Sequence, residues 1–211
     1  MSAQHKTITL IRHAERVDEV PGSTWGGDRW FDPPITKKGR KQARLTAQHL
    51  LQTMPHDALA SIDVIYSSPY VRCLQTAGEI AAILGKPVKP VYALGSCALY
   101  SKRNDYIVDY VPHDAVHDAI HYDDGDQAIP HGTVAVESPI SRLDSFESGC
   151  RDLASEDVAG THAIFVTHRE GVKDFLGVRH RIAYCGIVDC LFDAETKEFT
   201  PVKYSVGHDH H

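Results

Sequence analysis

Three short runs of apolar and β-branched residues stand out along the chain, and each precedes a segment with helical spacing. They are TITLI at 7–11, IDVIYS at 62–67 and HAIFVT at 162–167. Their length and their content of Ile, Val and Thr are typical of buried strands. Strands that alternate with helices predict βαβ units, a mostly parallel sheet and helices on both of its faces, which is a three-layer α/β/α fold.

Helices are predicted after each strand, with boundaries set by capping residues. The first is expected to begin after Thr36, whose side chain can cap the helix N-terminus. The second is expected to follow Ser68, with Pro69 at its first position, where the missing N–H of proline costs nothing. A third is predicted over about 137–155 because its apolar residues recur at helical spacing.

Length and composition are those of one globular domain, which we predict over residues 1–211. The net charge near −6 and the lack of a basic run argue against nucleic-acid binding. No apolar stretch is long enough to span a membrane, and the start MSAQHK does not resemble a secretion signal. Five cysteines without a CxxC pair are typical of reduced thiols, so we expect a cytoplasmic protein.

Polar residues follow each predicted strand at the point where it ends. These are Arg12 and His13, with Arg16 close behind; Ser67 and Ser68, before a helix that carries Arg72; and Thr167 and His168. In an α/β sheet, ligands bind beyond the carboxyl ends of the parallel strands. We therefore expect these side chains to converge there, with an insertion at about 95–135 capping the site.

Histidines among arginines suit phosphate chemistry. Guanidinium groups are always charged and can grip two phosphate oxygens at once, and phosphoryl transfer is catalysed mainly by positioning and by charge stabilisation. A neutral histidine is a competent nucleophile when a hydrogen bond, often to a backbone carbonyl, fixes its tautomer. Arg72 would also lie in the first turn of its helix, where free N–H groups attract phosphate. Taken singly, each residue has an ordinary structural explanation, so the prediction depends on their convergence.

The motif LIRHAER resembles the signature of the histidine phosphatase superfamily, also called phosphoglycerate-mutase-like. Four further segments follow in the order found in that family: FDPPITKKGRKQA, IYSSPYVRCLQTA, VESPISRLDSFESG and FVTHREGV. The resemblance covers residues 7 to about 177. It is closest to the branch that contains the suppressor-of-T-cell-receptor-signalling phosphatases and the ecdysteroid-phosphate phosphatases.

The resemblance implies a phosphoglycerate-mutase-like fold and a role for each site residue. His13 would be phosphorylated during turnover, and the phosphate pocket would consist of Arg12, Arg16, Arg72 and His168. The resemblance implies no metal and no organic cofactor. The substrate would be a phosphorylated small molecule or a phosphoprotein, and a homodimer is expected because the branch includes dimers.

This sequence departs from the family pattern at several positions. Ala14 stands where the family has glycine, and Arg169 and Glu170 follow the second histidine, where the family also has glycine. Mutases of the family carry a Ser and an Asn after the first motif, and RHAERVDE lacks both, which argues against mutase activity.

The general acid of the resembled branch, a glutamate just after the third strand, is also missing, because residues 91–100 contain no carboxylate. Substitutes could come from four acidic residues elsewhere: Glu137, Glu170, Asp28 and Asp105. A site without a well-placed acid favours leaving groups that depart unprotonated, such as phenols. The sequence therefore predicts a preference for aryl phosphates.

Several alternatives stay open. The loop at 22–31 contains both tryptophans and could stack an aromatic substrate or simply pack onto the domain. A protein of this fold that binds phosphorylated ligands without turning them over would keep the pocket and lose the chemistry. A metal-dependent hydrolase would use His113, His117 and His121, which are four residues apart. A solvated helix face is the better explanation of this spacing, because no Glu follows in the H-E-x-x-H manner.

Overall fold

The computed structural model describes residues 5–26, 32–95, 134–135, 146–155, 161–177 and 181–205. This part of the chain contains six strands: β1 (His5–Arg12), β2 (Ile65–Ser67), β3 (Val88–Pro90), β4 (His162–Thr167), β5 (Ile187–Asp193) and β6 (Phe199–Ser205). Its α-helices are α1 (Lys37–Thr53), α2 (His56–Ala60), α3 (Val71–Leu84), α4 (Phe146–Ser155) and α5 (Arg169–Leu176). Short 3₁₀ turns cover Val17–Glu19 and Tyr92–Leu94.

The six strands form one sheet in the order β3-β2-β4-β1-β5-β6. Strands β1, β2, β3 and β4 run parallel, whereas β5 is antiparallel to β1 and β6 is antiparallel to β5. The mostly parallel sheet is confirmed, with β1, β2 and β4 at the three predicted runs. The antiparallel edge formed by β5 and β6 was not predicted.

The sheet is buried on both faces, so the three-layer α/β/α prediction is confirmed. On one face, Ile11, Ile164 and Val166 pack with buried residues of α1 and α3. On the other face, Leu10 and Phe165 pack with buried residues of α4 and α5. Alternation of side chains along each strand sends successive residues to opposite layers. None of the helices in the described ranges is long and apolar enough to cross a bilayer.

The predicted N-cap of α1 is confirmed, whereas α3 begins two residues later than predicted. The hydroxyl of Thr36 accepts a hydrogen bond of 2.8 Å from the Gly39 N–H. Helix α3 begins at Val71 and not at Pro69. The reason lies in the cap, because the Val71 N–H donates to the carboxylate of Asp32, 2.9 Å away, which belongs to a distant segment.

Two predicted segments extend beyond the described residues. Of the helix predicted over about 137–155, the structure describes Phe146–Ser155, which is helical. The insertion at about 95–135 lies outside the described residues except for its ends. Its capping role and the single-domain boundary therefore stay predictions. The described cysteines, at 73, 150, 185 and 190, are buried and form no disulfide with one another.

Candidate active site

The carboxyl ends of β1, β2 and β4 meet at one edge of the sheet, as predicted. Arg12 pairs with Thr167 in the register of β1 and β4, and Ser67 pairs with Val166 in the register of β2 and β4. The chain continues this pairing past the strand ends, because the His13 N–H donates to the Thr167 carbonyl, 2.9 Å away. The side chains that follow the strands therefore enclose a common site.

His13 is buried, with one ring nitrogen fixed by the backbone. Its Nδ1 lies 2.8 Å from the carbonyl oxygen of Ala14. Because a carbonyl can only accept, Nδ1 must carry the proton, which leaves a lone pair on Nε2. Burial, and next the charges of Arg72 and Arg12, lower the pKa of His13 well below its ordinary value. The imidazole is therefore neutral at pH 7 and has the tautomer that a nucleophile needs.

His168 is held by two side chains from the β2–α3 segment. Its Nδ1 lies 3.2 Å from Nη2 of Arg72, and its Nε2 lies 2.8 Å from Oγ of Ser68. A guanidinium only donates, so Nδ1 accepts and Nε2 carries the proton. Burial, and next Arg72, lower the pKa of His168 well below its ordinary value. Its ring lies edge-on to that of His13, with centroids 5.5 Å apart.

Arg12 is buried against an aromatic ring. Its Nη1 donates to the carbonyl of Ile182, 2.8 Å away, and its guanidinium carbon lies 4.0 Å from the centroid of the Tyr184 ring. Within the described ranges, its Nε donates to no group. Burial, and next the charge of Arg169, lower the pKa of Arg12 to about 10. Its guanidinium remains a cation at neutral pH with hydrogen-bonding capacity left for a ligand.

Arg72 approaches the site from the first turn of α3. Its guanidinium lies 4.5 Å from the centroid of the Tyr70 ring, and its Nη1 lies 3.5 Å from Oδ1 of Asp32. The same carboxylate oxygen caps the helix at Val71. Asp32 therefore fixes both the start of α3 and the position of Arg72.

Arg16 differs from the other predicted phosphate-binding residues, because carboxylates already bind its guanidinium. Its Nε donates to Oδ1 of Asp18 over 2.8 Å, its Nη2 contacts the other oxygen of Asp18, and its Nη1 lies 3.5 Å from Glu19. The side chain is one-quarter exposed. Direct contacts thus join Arg72, His168 and His13, and the Tyr184 ring lies against both His13 and Arg12. Arg16 differs, because its partly exposed guanidinium is surrounded by carboxylates.

The loop after His13 is held by α1 and α3. The Ala14 N–H donates to the hydroxyl of Thr76, 3.0 Å away, and the Glu15 carboxylate accepts from the hydroxyl of Thr36 over 2.9 Å. A Cβ on Gly39 would come within 2.6 Å of the Glu15 carbonyl oxygen, so only glycine allows this close approach. Ala14 is buried without a positive φ, which explains why alanine can replace the family's glycine there.

Of the four acidic residues considered as general acids, the structure describes only Glu170. Its carboxylate accepts from Nη2 of Arg169 over 2.8 Å. Burial tends to raise the pKa of Glu170, but a backbone hydrogen bond and the Arg169 guanidinium outweigh it, so that the pKa is lowered. Glu170 is therefore ionised at neutral pH and is a poor proton donor. Glu137, Asp28 and Asp105 lie outside the described residues, as do His113, His117 and His121.

Sequence reasoning missed two residues that touch the predicted site. The Tyr184 ring lies 5.9 Å from that of His13, and its hydroxyl donates to the carboxylate of Glu19. Tyr184 precedes β5, a strand that was not predicted, so no pattern singled it out. Asp32 does belong to the quoted motif FDPPITKKGRKQA, which was the available signal for it.

Comparison with known proteins decides the family. Residues 8–172 match the model described as Histidine phosphatase superfamily (branch 1). The chain belongs to the histidine phosphatase superfamily. The narrower branch suggested by the sequence is not separated by these comparisons and stays a prediction.

Curated relatives match about a third of this chain. Phosphoserine phosphatase 1 of Hydrogenobacter thermophilus is 40% identical over 74 residues, which are 35% of this chain and 30% of that protein. Ubiquitin-associated and SH3 domain-containing protein A of Mus musculus is 31% identical over 101 residues, which are 35% of this chain and 15% of that protein. Each match thus spans less than a third of the relative's own length.

Solved structures match nearly the whole chain at low identity. The protein histidine phosphatase SixA complexed with tungstate superposes with a TM-score of 0.57 at 14% identity, over 95% of this chain and 96% of that one. A phosphoserine phosphatase of Entamoeba histolytica in complex with 3-phosphoglyceric acid superposes with a TM-score of 0.54 at 18% identity, over 96% and 98%. At these identities the likeness shows the phosphoglycerate-mutase-like fold.

Proposed function

We propose that this protein is a phosphate monoester hydrolase, that it acts through a phosphohistidine at His13, and that it prefers aryl phosphates. The observation that carries the proposal is the hydrogen bond from His13 Nδ1 to the Ala14 carbonyl. It leaves Nε2 unprotonated in a site that also contains Arg12 and Arg72. The names of similar proteins, among them phosphoserine phosphatases and a protein histidine phosphatase, support phosphatase activity.

In the first step, Nε2 of His13 attacks phosphorus in line with the leaving group. The P–N bond forms while the P–O bond to the alcohol or phenol breaks, and the leaving oxygen takes the electron pair. Arg12 and Arg72 bind the non-bridging oxygens, where negative charge is spread in the transition state. Arg16 contributes charge from the rim of the site.

His168 supplies a hydrogen-bond donor and orients an arginine. Its Nε2–H, which donates to Ser68 in the free protein, can donate instead to a phosphate oxygen. Its Nδ1 accepts from Arg72 and thereby fixes that guanidinium. In the second step, water attacks phosphorus, the P–N bond breaks and inorganic phosphate leaves, which restores the neutral His13.

The leaving-group preference follows from the acidic residues at the site. Residues 91–95, the described part of the stretch that aligns with the family's acid, carry no carboxylate. Glu170, the one general-acid candidate among the described residues, is ionised at neutral pH. An alkoxide leaves poorly without a proton donor, whereas a phenolate, with a pKa of about 10 for its phenol, leaves readily.

Aromatic surfaces near the site also favour aryl phosphates. The Tyr184 ring lies beside His13. A cleft of about 620 Å³ adjoins the backbone bridge between Arg16 and Ile35, and Trp25, with 37% of its surface exposed, contributes to its lining. An aromatic leaving group can stack on such rings.

The test is a panel of phosphate monoesters whose leaving groups range from nitrophenol to alkyl alcohols. We expect kcat/KM to fall steeply as the leaving-group pKa rises, and we expect His13→Ala to abolish phosphate release from every substrate. A flat dependence would reject the aryl preference. Activity that survives in a folded His13→Ala variant would reject the phosphohistidine.

The same assays test the two alternative functions. A wild-type protein that binds phosphate and releases none from any substrate would be a binding protein. Inhibition by a chelator would favour the metal-dependent alternative.

A further inference from the structure

Polar side chains interrupt the apolar face of the sheet beneath α1, well away from the active site. Near the active-site edge this face carries Ile11, Ile164 and Ile187. Two residues further from that edge on the same strands it carries Thr9, His162 and Asp189. Thr9 is fully buried and Asp189 is its partner in the β1–β5 register. His162 and Asp189 are half-buried. A fully buried position normally carries an apolar side chain, so Thr9 and the two polar groups around it require an explanation.

A separate cleft of about 270 Å³ lies over these polar residues. Its walls come from the last turns of α1, from α2 and from the edge strand β6. Leu50, Met54, Ile187 and Val202 give it an apolar side, and Val202 is 54% exposed. Small-molecule sites typically combine such apolar walls with a few converging polar groups.

The hydrogen bonds beneath the cleft leave acceptors for a ligand. The Thr9 hydroxyl donates its only proton to Oδ1 of Asp189 over 2.6 Å. The contact of 2.8 Å between Thr9 and Nε2 of His162 must therefore be a bond that His162 donates. Burial lowers the pKa of His162, so its ring is neutral and Nδ1 is an acceptor. In the described ranges, no group donates to Nδ1 of His162 or to Oδ2 of Asp189.

The Lys203 ammonium lies in the same cleft as these acceptors but forms no ion pair with Asp189. Lys203 on β6 is directly opposite Asp189 on β5 in the register and lines the same cleft. Opposite charges at such cross-strand positions usually attract one another. Nevertheless, no ion pair joins Lys203 to Asp189 in the part of the chain that the structure describes. The cleft thus presents a carboxylate and an ammonium separately, beside an apolar wall.

We propose that this cleft binds a free α-amino acid with an aliphatic side chain. The ligand ammonium donates to Asp189 and to Nδ1 of His162, the ligand carboxylate pairs with Lys203, and the side chain packs on Leu50 and Met54. A zwitterion matches the balanced charge of the cleft, and the small volume excludes larger ligands. The site is independent of the proposed phosphatase activity, because it uses none of the residues assigned to catalysis.

The test is isothermal titration calorimetry of the full chain with L-leucine as the probe. We expect saturable binding of one leucine per chain. Isocaproate, which lacks the amino group, and isoamylamine, which lacks the carboxylate, should each bind at least about tenfold more weakly. No saturable heat with leucine up to about 10 mM would overturn the proposal. Equal affinity for leucine and either analogue would also overturn it.

Variants locate the site. Lys203→Gln should weaken leucine binding at least about tenfold, and Asp189→Asn should do the same, although its amide oxygen can still accept from Thr9. Lys41→Gln on the exposed side of α1 is the matched control and should bind like the wild type. Lys203 is exposed, so its variant should fold even if Asp189→Asn does not. Unchanged affinity in Lys203→Gln would place leucine elsewhere and reject the cleft.

Discussion

In the part of the chain that the structure describes, arginine side chains are buried at two places, and their charges are compensated differently. Between α1 and α3, Arg40 is fully buried and its Nη1 lies 2.8 Å from the carboxylate of Glu79, which also binds Arg44 over 2.6 Å. At the active-site edge, Arg12 contacts a backbone carbonyl and the face of Tyr184. No described carboxylate lies within ion-pair distance of Arg12.

The two sites show how a buried charge that stabilises the fold differs from one that is available to a ligand. A buried cation bound to a carboxylate has its charge cancelled inside the fold, and its loss is felt as instability. A buried cation that only neutral groups support keeps a positive potential, which a phosphate dianion can neutralise when it binds. Burial, and next the charge of Arg169, lower the pKa of Arg12 to about 10, and the more distant carboxylates of Glu19 and Glu170 offset this only in part. The contrast applies to Arg12, because Arg72 at the same edge pairs with Asp32 over 3.5 Å. We therefore expect mutations of Arg12 and of Glu79 to act on different measurements.

The largest effect is expected from Arg12→Gln, which removes a charge that only the bound phosphate compensates. We expect kcat/KM for p-nitrophenyl phosphate to fall about 10³-fold, because a preorganised donor at the transition-state oxygens is lost. The free energy of unfolding should fall by only about 1–2 kcal/mol, because the buried hydrogen bond to the Ile182 carbonyl is lost but no ion pair is broken. Steady-state kinetics and urea unfolding measure the two quantities. A loss of stability as large as that of the Glu79 variant below would remove the distinction between the regions.

The converse pattern is expected from Glu79→Gln. Removing the carboxylate leaves two arginines between α1 and α3 without their anion, so the free energy of unfolding should fall by about 3–5 kcal/mol. The kcat/KM of the folded fraction should stay within about twofold of the wild type, because no catalytic group is touched. Glu198→Gln, on the exposed turn before β6, is the matched control and should unfold like the wild type in urea. If Glu79→Gln lowered the free energy of unfolding no more than Glu198→Gln, the ion pairs of Glu79 with Arg40 and Arg44 would not stabilise the protein.

The same contrast explains what the sequence could reveal. Strand ends with polar residues predicted the convergence of His13, Arg12, Arg72 and His168, because parallel strands bring their carboxyl ends to one edge. The carboxylates around Arg16 follow it directly in the chain, but their effect on its charge depends on local geometry that no periodicity encodes. Asp32 caps α3 from 39 residues away, which is why the predicted helix start was wrong. Long-range contacts of this kind depend on the completed fold.

Tyr184 illustrates the same limit from the antiparallel edge of the sheet. It contacts Arg12, which lies 172 positions earlier in the chain, and it does so only because β5 pairs with β1. Residues 187–193 read IVDCLFD, in which apolar residues occupy both faces and Asp189 interrupts them, so a clean alternation is missing. Dimer formation and the narrower branch assignment depend on surfaces and residues that neither the pattern nor the fold tests, and both stay predictions.

A smaller effect is expected when pH changes the charge of the site. Neutral His13 is the nucleophile, and its pKa lies well below the ordinary value because of burial and then Arg72. Activity should therefore be retained as pH falls through about 6.5, where an ordinary histidine would protonate, and should be lost only through the lower folded pKa. The pH profile of kcat/KM measures this, after correction for the second ionisation of the substrate near pH 6. An acidic limb with an enzyme pKa of about 6.5 would contradict the argument.

The smallest effect is expected from substitutions of Tyr184. Its ring packs against the Arg12 guanidinium, whereas Arg40 is bound by a carboxylate. Tyr184→Phe keeps the ring over Arg12 and loses only the exposed bond to Glu19, so kcat/KM should stay within about twofold. Tyr184→Leu removes the cation–π contact and should lower kcat/KM about fivefold, corresponding to about 1 kcal/mol. Steady-state kinetics of both variants with an aryl phosphate separate the ring from the hydroxyl. If Tyr184→Phe lowered kcat/KM as much as Tyr184→Leu, the hydroxyl and its hydrogen bond to Glu19 would position Arg12. The aromatic ring would then not be the group that supports the Arg12 guanidinium.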